Sequence, residues 1–196
     1  MARQPRAETE PGIHHVFARG NDRGLIFRND GDRRVYLRLL AEAIARMSWR
    51  CLSYCLMDNH VHLLVETQEP NLGVGMHRLH GGYAQFFNRR YSRVGHLFQG
   101  RFGSVRVESD QQLWTVVRYV ALNPVEANYC VTPDDYPWSS HGATLRAEES
   151  PILDVGRLLE YFAAAGGEPR LRYREFVAAP APGHSTRARP RAPLPI

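Results

Sequence analysis

The chain has 196 residues, of which 43% are hydrophobic, so it is long enough for one domain of ordinary size with a real core and an appendage. Its net charge is +5 and its basic side chains are all arginine. No apolar run approaches the length of a membrane span, and the polar N-terminal segment lacks an apolar signal region, which predicts a cytoplasmic protein. The cysteines Cys51, Cys55 and Cys130 are too few for a disulfide framework or a cysteine-rich zinc site, so we expect reduced core thiols.

Strands and helices alternate along the predicted chain. In order, the predicted elements are a strand at Ile13–Arg19, a loop at Asn21–Gly24, a helix at Asp32–Met47, a two-stranded hairpin around Asp58 and Asn59, a helix from Asn71 to about Tyr91, a strand at Ser104–Val107, and a helix at Asp110–Leu122. Ser109 and Gln112 form a capping-box signature before the last helix, and Asn123-Pro124 is expected to end it. This order predicts an α+β fold of ferredoxin-like type, an antiparallel sheet with helices packed mainly on one face.

The composition divides the chain into three parts. The predicted sheet and helices occupy a domain at residues 12–145, and apolar residues at helical spacing predict a C-terminal helical extension at 146–177. The remaining tail, 178–196, is basic and rich in alanine and proline. We expect it to be disordered, because it cannot bury much apolar surface.

Two histidines, His60 and His62, open the second strand of the predicted hairpin. Residues two apart on a strand project from the same face, so both imidazoles could bind one divalent metal ion. The alternative is that they are ordinary surface histidines at a strand end, since the pattern is short.

An acid-free segment extends from Pro70 to Val107 and contains arginines interleaved with aromatic residues. Such a surface attracts a phosphate backbone, and aromatic rings stack on unpaired bases. The alternative is a helix with solvated arginines outside and aromatic residues in the core. The candidate nucleic-acid contacts are Arg78, Arg89, Arg90, Arg93, Arg101 and Arg106, to which Arg19 and Arg23 could add.

Tyr119 and Asn123 lie one turn apart on the third predicted helix, beside its apolar stripe. A tyrosine hydroxyl can act as a nucleophile and form a covalent intermediate. Asn123 could direct its carbonyl oxygen to the same place. The simpler alternative is that Tyr119 is a half-buried packing residue.

Taken together, these residues resemble a known family. His60-Val61-His62 is similar to the His-hydrophobic-His motif of the HUH endonuclease superfamily, and the run from Arg118 to Val125 resembles the tyrosine-bearing helix of its single-tyrosine transposases. The segments Gly95–Phe102 and Tyr136–Ser140 are similar to the REP-associated tyrosine transposases, and the resemblance spans about residues 12–140. It departs at Asn123, where related insertion-sequence transposases often have glutamine.

The resemblance implies a strand-transfer reaction on single-stranded DNA near hairpins. Mg²⁺ or Mn²⁺ would be bound by His60 and His62 with Asn123, and Tyr119 would attack phosphorus to leave a 5′-phosphotyrosine link. The candidate arginines would contact the DNA backbone. No membrane and no small-molecule organic cofactor is expected, and a homodimer is one possible assembly. Two alternatives stay open: a metal-dependent nuclease that uses water, and a non-catalytic hairpin-binding regulator of DNA or RNA.

Overall fold

A computed structural model describes residues 10–146, 148–163 and 167–179 of the protein. The elements in chain order are β1 (Gly12–Arg19), α1 (Asp30–Met47), β2 (Arg50–Met57), β3 (His60–Thr67), α2 (Leu72–Arg90), β4 (Gly103–Val107), α3 (Asp110–Glu126), α4 (His141–Arg146), α5 (Val155–Ala163) and α6 (Pro169–Ala178). Each strand and helix expected in the first 126 residues is therefore present, with ends shifted by a few residues.

The four strands form one sheet in the order β2-β3-β1-β4, and every neighbouring pair is antiparallel. This order, with α1 and α2 as the crossover helices, confirms the predicted ferredoxin-like class. The β1–β3 register places Arg19 opposite His60 and Phe17 opposite His62. Cross-strand partners share a face of the sheet, so these four side chains lie on the same side.

Helices cover both faces of the sheet. On one face α1 and α2 pack against residues such as Val61 and Leu63, which agrees with the expected arrangement. The difference from the prediction is α3, which packs with α5 and α6 on the opposite face against Leu52 and Leu64. The physical reason lies in β2 and β3, whose residues are nearly all buried, so this half of the sheet must be covered on both sides.

The α3 helix begins where its capping box predicts and ends later than expected. The Ser109 side chain accepts a hydrogen bond from the backbone N–H of Gln112 at 3.2 Å. The helix does not end at Pro124 but continues to Glu126. Asn123 and Pro124 are both buried, and their packing offsets the backbone hydrogen bond that the proline cannot donate.

The C-terminal extension is attached by polar as well as apolar contacts. Arg157 of α5 donates two hydrogen bonds to the Glu66 carboxylate of β3, at 3.0 and 2.9 Å. The buried His141 of α4 lies 2.8 Å from the Tyr173 hydroxyl of α6. Nearly all of the tail predicted to be disordered, residues 180–196, lies outside the described residues.

Two further expectations concern the cysteines and the membrane. Cys51 and Cys55 are free, buried thiols, as predicted, and Cys130 is free and partly buried. Among the residues that the structure describes, no helix is long and apolar enough to cross a membrane.

Candidate active site

The candidate site lies between the end of β3 and the α3 helix that covers it. His60 and His62 project from β3 toward α3, with their ring centroids 5.1 Å apart. From α3, the Asn123 side chain reaches His60 and the Tyr119 ring lies edge-on to His62, 5.0 Å between centroids. All four residues singled out on these two elements therefore meet at one place.

His60 has a fixed orientation because both of its ring nitrogens face amide oxygens. The Asn59 amide donates to the Arg23 carbonyl at 3.1 Å, which turns the Asn59 oxygen toward His60 Nδ1 at 2.7 Å. In the tautomer that can bind a metal ion through Nε2, His60 Nδ1–H donates to that oxygen. His60 Nε2, which then carries a lone pair, lies 3.0 Å from Asn123 Oδ1.

In that tautomer, His60 Nε2 and Asn123 Oδ1 are facing acceptors, and such a pair fits a divalent cation. Two adjacent ligands of an octahedral ion with bonds of about 2.1 Å lie about 3 Å apart, the spacing of His60 Nε2 and Asn123 Oδ1. Within the described residues no three His, Cys, Asp or Glu side chains are grouped to bind a metal ion. A metal at this site would therefore need the Asn123 oxygen to complete a set with His60 and His62.

His62 lies between the tyrosine and another histidine. Its Nε2 is 3.4 Å from the Tyr119 hydroxyl, a long contact, while its Nδ1 is 3.1 Å from Nε2 of His15 on β1. The His15 and His62 rings are stacked, with centroids 5.2 Å apart and planes 26° apart. His62 is thus held on both sides by ring contacts.

Burial and local charge keep the histidines of the site neutral. Burial lowers the pKa of His60 and lowers that of His62 well below its usual value, where His60, His15 and Arg19 act in the same direction. Burial also lowers the pKa of His15 to about 4. Neutral imidazole is the form that binds metal ions.

The hydroxyl of Tyr119 is subject to opposing influences. Burial, followed by the Glu126 carboxylate, raises its pKa, whereas a hydrogen bond from Asn123 and the charge of Arg19 lower it. The net shift is upward. The phenolate therefore needs additional positive charge nearby in order to form at neutral pH.

The candidate DNA-binding arginines divide into two groups by position. Arg19 lies at the site itself, opposite His60, and Arg23 holds Asn59 through its backbone carbonyl. Arg78 and Arg89 are exposed on α2, which packs on the other face of the sheet from the histidines. The structure therefore brings only part of the predicted set near the reacting groups.

Several remaining arginines have partners within the protein. Arg90 lies 3.6 Å from the buried Asp32 carboxylate, and Arg93 lies 5.8 Å above the Phe87 ring. Arg106 of β4 pairs with Glu10. Arg101 is exposed in the loop before β4. The aromatic residues Tyr83, Phe87, Phe98 and Phe102 of the acid-free segment are buried in the core, as the alternative interpretation of those aromatics expected.

Three residues next to the site histidines were not predicted from the sequence: His15 beside His62, Asn59 beside His60, and Phe17, which pairs with His62 across the strands. The alternation of His15, Phe17 and Arg19 on β1 indicates that they share a face, but not which strand they pair with. Gly103 of β4 pairs with Phe17, and a Cβ there would come within 2.3 Å of the Phe17 ring. A glycine opposite an aromatic residue is the signal that could have indicated the close approach of β4.

Comparison with known proteins identifies the family. The profile of IS200-like transposases matches residues 10–123, from two residues before β1 to Asn123 of α3. The chain belongs to the IS200-like transposase family. A Haemophilus influenzae protein whose provisional name is REP-associated tyrosine transposase is 25% identical to this chain over 111 residues, which cover 51% of the chain and 63% of the relative's length.

A solved structure has the same fold. It is that of a REP-associated tyrosine transposase bound to a REP hairpin, and it superimposes on this chain with a TM-score of 0.61 at 14% identity, covering 77% of this chain and 90% of that one. The resemblance inferred from the short motifs is therefore confirmed at the level of family and fold.

Proposed function

We propose that this transposase cleaves and rejoins single-stranded DNA beside hairpins through a covalent 5′-phosphotyrosine intermediate on Tyr119. The observation that carries the proposal is the position of the Tyr119 hydroxyl, 3.4 Å from His62 Nε2 and one helical turn from the amide that faces His60. The name of the relative and the REP hairpin bound to the structural neighbour support hairpin DNA as the substrate.

His60, His62 and Asn123 would bind Mg²⁺ or Mn²⁺. When bound, the ion would offset charge on the scissile phosphate and favour the ionised form of Tyr119. The neutral histidines and the facing oxygen and nitrogen atoms suit this role, since oxygen and imidazole ligands are both common for Mn²⁺.

Tyr119 performs the bond exchange. Its hydroxyl releases a proton to water and the oxygen attacks phosphorus, so that a phosphorus–oxygen bond to tyrosine forms as the bond to the 3′ oxygen of the preceding nucleotide breaks. The leaving 3′ oxygen takes up a proton and becomes a free hydroxyl. Because one phosphodiester bond replaces another, the reverse attack by a 3′-hydroxyl rejoins the strand without ATP.

Arg19 and Asn123 assist Tyr119 electrostatically. The charge of Arg19 and the hydrogen bond from Asn123 both lower the pKa of Tyr119 and so favour the nucleophilic phenolate. Arg19 would also attract the phosphate that is attacked. The exposed arginines Arg78, Arg89 and Arg101 would add charge for the hairpin backbone.

The polarity of the covalent link gives a direct test. A single-stranded DNA hairpin is labelled at its 5′ end in one sample and at its 3′ end in another, then incubated with the protein and Mn²⁺ and separated on a denaturing gel. We expect only the 3′ label to move with the protein, because Tyr119 retains the 5′ phosphate of the downstream fragment. Cleavage without any protein-linked label would favour the water-using nuclease, and binding without cleavage would favour the regulator.

A further inference from the structure

We propose that His15 is a positioning residue, which accepts a hydrogen bond from Nδ1–H of His62 and thereby leaves the lone pair of His62 Nε2 free for a divalent cation. The inference rests on the proposed function, because it concerns the same metal ligands. It adds to the site a residue from β1, outside the His-hydrophobic-His motif and outside α3.

The geometry of β1 and β3 brings the two rings together. His15 pairs with Leu64 and His62 with Phe17, so the two histidines are diagonal neighbours on one face of the antiparallel pair. Their facing nitrogens, His15 Nε2 and His62 Nδ1, are 3.1 Å apart. The distance is that of a hydrogen bond, and only one proton can lie between the two atoms.

The position of that proton decides whether His62 can bind a metal ion. If His15 donates, the neutral His62 ring carries its proton on Nε2, which then has no lone pair for a metal. If His62 donates from Nδ1, its Nε2 lone pair is free on the side of Tyr119. Metal binding therefore requires His15 to be the acceptor, with its own proton on Nδ1.

His15 also limits rotation of the His62 ring. The two rings are stacked, and the His15 ring lies edge-on to Tyr119 with centroids 5.9 Å apart. His62 is thus enclosed by His15 and Tyr119, while His60 is oriented by Asn59. Each metal-binding histidine therefore has its own partner at Nδ1, the arrangement that commonly fixes the tautomer of metal-binding imidazoles.

The test measures Mn²⁺ binding by the full chain without DNA. Free Mn²⁺ is followed by electron paramagnetic resonance during titration of wild type, His15→Gln and His15→Phe. The glutamine amide oxygen can occupy the position of His15 Nε2 and accept from His62, whereas phenylalanine keeps a ring but has no acceptor. We expect His15→Phe to weaken Mn²⁺ affinity by about 10- to 100-fold and His15→Gln to recover most of the loss.

Two controls make the result specific. His77→Phe removes an exposed histidine of α2 and should leave Mn²⁺ affinity unchanged. Thermal melting of each metal-free variant shows whether it is folded. If His15→Phe does not fold, His15→Asn replaces it, since the shorter amide cannot reach the same position as glutamine.

The outcomes separate this inference from the proposed function. Equal Mn²⁺ affinity in wild type and His15→Phe, with weaker binding in His60→Ala, would overturn the role of His15 and leave the metal site intact. Equal weakening in His15→Gln and His15→Phe would also overturn it, because the acceptor would not matter. Wild type that binds no Mn²⁺ would reject both the metal site and the role of His15.

Discussion

Replacing Tyr119 with phenylalanine should abolish cleavage while leaving the fold almost unchanged. The hydroxyl makes a long contact, 3.4 Å to His62 Nε2, and accepts a hydrogen bond from Asn123, so its loss should cost about 1 kcal/mol. The ring and its edge-on packing against His62 and His15 remain. For a chain of this size, 1 kcal/mol corresponds to a shift in Tm of about 2–4 °C, which bounds the expected change.

The assay compares hairpin binding, cleavage and covalent adduct formation for wild type, Tyr119→Phe and a matched control. Tyr161→Phe also removes one tyrosine hydroxyl, which accepts from Arg157 at 2.8 Å on α5, away from the histidines. We expect the control to cleave normally and Tyr119→Phe to bind the hairpin without cleaving it. A protein–DNA adduct formed by Tyr119→Phe would refute the assignment of the nucleophile.

Three further predictions concern the metal, the DNA charge and pH. His60→Ala and His62→Ala should each abolish cleavage but largely spare hairpin affinity. EDTA should likewise stop cleavage by wild type without preventing hairpin binding, and full cleavage in EDTA would contradict the metal assignment. Arg19→Ala should reduce the slope of log affinity against log salt concentration by about one, and an unchanged slope would place Arg19 off the DNA backbone. Burial lowers the pKa of His80 in the folded chain to about 3, whereas the same ring in the unfolded chain keeps its usual pKa of 6.5. Between these two pH values the unfolded chain binds one proton more than the folded chain. Because of this ring, the free energy of unfolding, measured with urea, should therefore fall by about 1.4 kcal/mol for each pH unit of acidification in that window. His80→Phe should make the dependence of the unfolding free energy on pH shallower.

The elements of the fold could be predicted because each carries a strong local signal. The capping box at Ser109 and Gln112 and the period of apolar residues in α1 locate helices without any tertiary information. The packing of α3 behind the sheet is a tertiary property. A signal for it exists in β2, where Cys51–Met57 is buried on both faces, but an apolar strand does not indicate which helix will cover it.

The site was predictable where its residues are close in sequence and not where they meet across strands. His60 and His62 share a face by alternation alone, as do Tyr119 and Asn123 by helical spacing. His15 joins them only through the register of β1 and β3, and a shift by one residue would turn it to the other face. The arginines of the acid-free segment show the converse, because charge along the sequence does not distinguish Arg90, paired with Asp32, from an arginine available to DNA.

The short side chain of Asn123 reaches His60 because α3 packs close to the sheet. Compared with glutamine, the residue that the resemblance led us to expect here, an asparagine oxygen ends one methylene closer to its helix, so the helix itself must come closer to His60. The small and β-branched residues Val117, Val120 and Ala121 are buried at the contact of α3 with β2 and β3, which permits a close approach. The continuation of α3 through Pro124 keeps Asn123 in helical geometry instead of at a frayed end, and its oxygen lies 3.0 Å from His60 Nε2. Asn123→Gln, which restores the longer amide on a helix already close to the sheet, should therefore crowd the site and weaken Mn²⁺ binding; an unchanged Mn²⁺ affinity would show that the spacing of α3 is not matched to asparagine.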